Sequence, residues 1–155
     1  MDDASALDRL SRLGLELPPP PEAVASYVPV VVAGPFAFVS GQVPLVGGSM
    51  LHAGHVGADV SLEQAQEAAQ RCTVLALSAL RGELGSFERV RRIAKVTVFV
   101  ASSPAFTDQP KVANGASELL QQVLGEHGRH ARAAVGVAAL PLGASVEVAV
   151  TAQVS

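Results

Sequence analysis

The sequence predicts an α+β domain in which two helices lie on one face of a sheet. Three observations carry that prediction. Short β-branched runs and amphipathic stretches follow one another in the order β-β-α-β-α-β-β. The later strand runs alternate valine with other residues, the period of a half-buried strand. The two helical stretches each carry one apolar stripe. The chain has 155 residues, 49% of them apolar and 16% charged, which suits one domain with a substantial core. Aromatic residues make up only 4%, with no Trp and a single tyrosine, so Ala, Val and Leu must build that core.

Ala4 to Leu15 opens the chain as a short amphipathic helix, with Leu7, Leu10, Leu13 and Leu15 spaced among charges. Pro18-Pro19-Pro20-Pro21 stops it, because proline lacks the N–H and holds the backbone extended. Residues 1–17 therefore read as a leading arm, and 18–155 as the main domain. Tyr27 to Val32 and Phe36 to Ser40 read as a hairpin turned at Ala33-Gly34-Pro35. A Gly- and His-bearing loop follows, to Ala58.

Ser61-Leu62-Glu63-Gln64 is a capping box, and Ala65, Ala68, Ala69, Cys72, Leu75, Ala76 and Ala79 form one stripe behind it. Gly82 or Gly85 ends this helix. Ile93 to Val100 is a strand. The second helix opens near Asp108 with Pro110 in its first turn, buries Val112, Ala116, Leu119, Leu120 and Val123, and stops at Gly125. Ala131 to Val137 and Ser145 to Val154 are the closing strands, joined through Leu140-Pro141-Leu142-Gly143.

The closing strands carry the chemistry. Alternation assigns Ala131, Ala133, Val135 and Val137 to the helix side, and Arg132, Ala134, Gly136 and Ala138 to the opposite side, together with Glu147 of the last strand. A guanidinium beside tiny side chains leaves room for a small anion, and its planar fork matches a carboxylate in two parallel bonds. The plainer reading is a structural salt bridge between Arg132 and Glu147 on neighbouring strands. Spacing alone leaves both open.

Several classes are disfavoured. The net charge of −3 gives no long-range attraction to nucleic acid or anionic membrane. Lone Cys72 excludes a disulfide framework and, on its apolar stripe, reads as a core residue. His52 with His55, and His127 with His130, lack the further ligands of a metal site. Arg89, Arg91, Arg92 and Lys95 read as a solvated face. No run approaches the roughly 20 apolar residues of a membrane span, and the acidic start is unlike a secretory signal, so a cytoplasmic protein is expected.

Ala131 to Pro141 followed by Val146-Glu147-Val148 resembles the C-terminal signature of the Rid family, the reactive intermediate/imine deaminases also called YjgF-type or L-PSP proteins. Ser40-Gly41-Gln42-Val43-Pro44 is similar to the family's Ser-Gly-Gln motif, and Lys95 to Val100 to its central strand. Tyr27 and Asn114 fall where members carry a pocket tyrosine and an asparagine. The resemblance spans about residues 20 to 154. It implies a chorismate-mutase-like fold with a mixed sheet, a homotrimer with clefts between subunits, and hydrolysis of short-lived enamines and imines such as 2-aminoacrylate to 2-keto acids and ammonia, without cofactor or metal. By position, Arg132 is implied to hold the substrate carboxylate and Glu147 to position or activate water. Tyr27, Ser40, Gly41, Asn114 and Ala134 are implied to bind substrate. The chain departs from the best-known deaminases at Ala134, where they have cysteine, and at Gly136, where a polar residue is usual. Both changes point to a roomier or different pocket. The leading arm and the loop at 46–57 are also longer. A carboxylate-binding protein without turnover, and an endoribonuclease, are the competing expectations; charge and aromatic poverty weigh against the latter.

Overall fold

The computed structural model describes residues 1–22 and 25–155. In chain order these form α1 (Asp3–Arg12), β1 (Val30–Ala33), β2 (Phe36–Gln42), β3 (Leu45–Val46), β4 (Ser49–Met50), α2 (Leu62–Leu84), β5 (Val90–Ala101), α3 (Gln109–Leu124), β6 (Ala131–Val137) and β7 (Val146–Val154). Five strands make one sheet in the order β1-β2-β7-β5-β6. The β5–β6 pair is parallel and the other pairs are antiparallel, so the sheet is mixed. No helix among the described residues is long and apolar enough to cross a membrane.

Two differences from the sequence expectation bear on the site. The first strand starts at Val30, because Pro29 has no N–H for the ladder; its carbonyl instead accepts from Ser40 N at 2.8 Å. Tyr27 thus lies in a bend before the strand. The Gly- and His-bearing loop contains a separate two-stranded ladder, with Leu45 opposite Met50 and Val46 opposite Ser49. The tight turn uses Gly47 and Gly48, and two residues a side were too few to register as a periodic pattern.

α2 begins with both halves of the capping box: Gln64 N donates to Ser61 Oγ at 3.1 Å and Ser61 N donates to Gln64 Oε1 at 3.0 Å. It ends at Gly85, whose φ of +81° suits glycine. Its alanines let the helices approach closely: a Cβ on Gly115 of α3 would overlap the Gln66 carbonyl of α2. Val112, Ala116, Leu119, Leu120 and Val123 turn inward from α3 as the stripe predicted. Cys72 is buried in the same layer, with Sγ 3.6 Å from the Val146 carbonyl.

α1 docks outside the helix layer. Ala6 and Leu10 are buried in the common core. Asp3 accepts two hydrogen bonds from Arg81, at 3.1 and 2.9 Å, and one from Phe87 N at 2.8 Å. Arg9 donates to the Val123 carbonyl at 3.2 Å.

Val146, Val148, Val150, Ala152 and Val154 of β7 and Val96, Val98 and Val100 of β5 face the helices and are buried. Cross-strand partners share a face, and Arg132, Ala134 and Gly136 pair with those same β5 valines. Arg132 therefore points toward α3, and Ala131, Ala133, Val135 and Val137 point away. This reverses the expected sides of β6. The strand is built almost wholly of Ala, Gly and Val, so side-chain size carried no signal about which face was inward. The open face also displays Val31, Phe36 and Phe38, with the two rings 6.4 Å apart.

Candidate functional site

The candidate residues fall into two groups on opposite faces of the sheet. On the helix side, Arg132 leaves edge strand β6 and meets α3. Its Nη1 donates to Asn114 Oδ1 at 2.8 Å and to Ser117 Oγ at 3.1 Å. Asn114 and Ser117 are three apart, hence neighbours on one helix face. Both partners are neutral, so the guanidinium keeps its full charge and is aimed without being cancelled. Arg132 is exposed and makes no ion pair among the described residues. Ala134 follows it along the row, half-buried against the core. Beyond Gly136 the row opens into a cavity of about 300 Å³ lined by Ser102, Ser103 and Gln109 among others.

On the open side, Glu147 stands between Val146 and Val148, both fully buried toward the helices, so its side chain points the other way. The carboxyl is half-buried, and that burial pushes its pKa above the ordinary glutamate value. It lines a cavity of about 310 Å³ with Tyr27, Gly41, Gln42, Leu75 and Leu142. β2 shifts register between Val39 and Gln42, which brings the Gly41 backbone against Glu147. A Cβ at Gly41 would lie 2.8 Å from Glu147 Cδ and overlap its Oε1, so any larger residue must displace that carboxylate. Ser40 Oγ donates to the Val28 carbonyl at 2.7 Å, which ties the segment bearing Tyr27 to β2.

Arg132 and Glu147 do not share a face, contrary to the sequence expectation. Nor are their strands neighbours, because β5 runs between β6 and β7. The structural salt bridge is therefore not formed within one chain. One group is a cation with only neutral partners. The other is a carboxylate held half out of water, with no cation beside it among the described residues.

Sequence reasoning passed over Ser117. Its signal was the three-residue spacing from Asn114, which puts both on the α3 face toward β6. Ser117 Oγ also lies 2.8 Å from His130 Nε2, and His130 Nδ1 lies 2.6 Å from the Gly128 carbonyl. Burial lowers the His130 pKa; the Gly128 carbonyl partly offsets this, and the Arg132 charge adds to the lowering. The other histidines are engaged singly: His52 with Glu67 at 2.8 Å, His55 with the Ala138 carbonyl at 2.7 Å, and His127 with the Arg91 carbonyl at 2.6 Å.

A family profile described as "YjgF/chorismate_mutase-like, putative endoribonuclease" matches residues 7–154. Protein TCP17 of Trypanosoma cruzi is 49% identical over 142 residues, covering 90% of this chain and 88% of that protein. The crystal structure of Atu1372 from Agrobacterium tumefaciens, described as of unknown function, superposes with a TM-score of 0.92 at 43% identity, covering 98% of this chain and 93% of that one. A more distant solved structure, E. coli TdcF with bound serine, has a TM-score of 0.59 at 28% identity over 88% of this chain and 94% of that one.

Proposed function

The chain belongs to the YjgF/chorismate-mutase-like family, and from that premise we propose that it hydrolyses small reactive enamine and imine acids to 2-keto acids and ammonia. The observation that carries this reading is the division of the site. Arg132 is oriented by neutral partners and Glu147 is half-buried without a cation, on opposite faces of one sheet. In our reading the chain assembles as a homotrimer, in which Arg132 of one subunit faces Glu147, Tyr27 and Gly41 of the next. The exposed Val31, Phe36, Phe38 and Val135 supply an apolar surface for that contact. A relative crystallised with serine, itself an amino acid, is consistent with a carboxylate ligand.

The chemistry follows from the two groups. The Arg132 fork holds the substrate carboxylate in paired charge-assisted bonds. An enamine such as 2-aminoacrylate takes a proton from solvent on its β-carbon and becomes the protonated imine. The imine carbon is electrophilic, so a water placed beside it attacks, and a new C–O bond forms as the C=N π electrons move to nitrogen. Glu147 takes a proton from that water and gives it to the amine nitrogen. The C–N bond then breaks with its electron pair leaving on ammonia, and the hydroxyl proton passes to Glu147 and on to solvent. A carboxyl with a raised pKa suits both halves of this cycle.

The test is to generate 2-aminoacrylate from serine with a dehydratase and follow pyruvate release. Wild type should accelerate the release. Arg132→Ala should lose about 2–5 kcal/mol of transition-state stabilisation, which removes nearly all of the rate. No acceleration by wild type across several imino acids contradicts the proposal; stabilisation by 2-keto acids without turnover would identify a binding protein instead.

A further inference from the structure

His130 and Ser117 have no part in that reaction, yet both bear on the group it depends on. We propose that His130 is a positioning residue for Arg132, acting through the Ser117 hydroxyl; the inference rests on Arg132 serving as the carboxylate clamp.

The donors and acceptors fix the direction of each bond. The Gly128 carbonyl only accepts, so the hydrogen sits on His130 Nδ1, 2.6 Å away. The Nε2 of a neutral ring is then bare and accepts the Ser117 hydroxyl proton at 2.8 Å. That spends the one proton Ser117 has. Its oxygen is left to accept from Arg132 Nη1 at 3.1 Å, while Asn114 Oδ1 accepts from the same nitrogen at 2.8 Å. Both hydrogens of Nη1 are used on the protein. The Nε–Nη2 edge, which fits a carboxylate in two parallel bonds, has no partner among the described residues.

The surroundings keep the ring neutral. His130 is half-buried, Arg132 stands beyond Ser117, and Arg92 of β5 and Arg129 border the same surface cavity. Arg129 is itself 3.4 Å from Glu126. A second positive charge on the ring is disfavoured among these cations. Without His130, the Ser117 hydroxyl is free to rotate and can turn its proton toward the guanidinium instead of its lone pair. Ser117 is almost fully buried, so water competes little for its hydroxyl.

Calorimetric titration with 2-ketobutyrate tests this on wild type and on Ser117→Ala, His130→Ala, His130→Gln and the Ser117→Ala/His130→Ala double variant, each checked for an unchanged melting profile. Either alanine variant should weaken Kd about three- to tenfold, the effect of one net hydrogen bond. The double variant should be no weaker than Ser117→Ala alone, because His130 works only through that hydroxyl. His130→Gln, whose amide oxygen accepts where Nε2 does, should return Kd to within about twofold of wild type. Nitrogen-15 NMR should find the His130 ring protonated on Nδ1. Binding that is lost in Arg132→Ala yet unchanged in Ser117→Ala and His130→Ala overturns this inference alone. So do additive losses without rescue by glutamine, or a ring protonated on Nε2. No binding of 2-ketobutyrate by wild type overturns the clamp reading itself, and this inference with it.

Discussion

The two faces of the sheet are finished in opposite ways. Toward the helices, Val96, Val98, Val146 and Val148 are completely buried under α2 and α3. Away from them, Val31, Phe36, Phe38 and Val135 keep between 37% and 49% of their surface in water. The first face needs nothing further. The second is the kind of apolar surface that another protein surface covers. The polar groups with unmet needs lie where the finished layer gives out: Arg132 on the edge strand, and Glu147 beside the register shift of β2. On the proposed reading, folding and function draw on different parts of one sheet.

Substitutions on the two faces should separate accordingly. Leu120→Ala on the covered side should cost about 2–5 kcal/mol in denaturant unfolding, through lost burial and the cavity left behind. It should leave the assembly state of the folded protein alone. Phe38→Asp on the open side should leave circular dichroism native-like while light scattering reports a smaller species. Equal loss of folding in both variants would erase the distinction.

Gly41→Ala probes the junction between the faces. The added Cβ must displace the Glu147 carboxylate, an overpacking cost of about 1–3 kcal/mol. That displacement should appear mainly as lost turnover.

Protonation offers a finer separation. Burial raises the Glu147 pKa in the folded chain, so the folded state holds that proton more tightly than the unfolded one. Its contribution to stability is therefore greatest at low pH and is lost as pH rises through the folded pKa. On the proposed mechanism turnover needs the ionised form and should fall as pH drops through the same value. Glu147→Gln should then be inactive across the pH range. Asp3 has the opposite sign: Arg81 holds its pKa below the usual carboxylate range, so its contribution is present above the unfolded pKa and is lost as pH falls through the folded one. Asp3→Asn should cost about 1 kcal/mol, the effect expected of a partly exposed ion pair, and should leave turnover unchanged.

Most of the fold was legible because the local signals agreed. The Ser61 capping box, the alanine stripe behind it, Pro110 and the valine alternation of β7 each correspond to one physical feature of the structure. The face of β6 was not legible, since Ala, Gly and Val are tolerated on either side of an edge strand. That ambiguity misplaced Arg132, and with it the expectation that Arg132 and Glu147 belong to one hollow. Asn114 was found through a family motif. Ser117 follows from the same helix once α3 is known to face β6, a tertiary fact that no local window contains. Tyr27 lies outside the strand that its β-branched neighbours suggest, because Pro29 has no N–H to extend the ladder toward it.

Subunit complementation tests the central claim most directly. Arg132→Ala and Glu147→Gln are each expected to be inactive. Refolding or co-expressing them together creates mixed assemblies in which an intact Arg132 meets an intact Glu147 at about one boundary in four, by random association in a ring. Recovery of roughly that fraction of wild-type turnover is the predicted result. A mixture that exchanges subunits yet stays as inactive as its parents would show that the two groups do not meet across a subunit boundary.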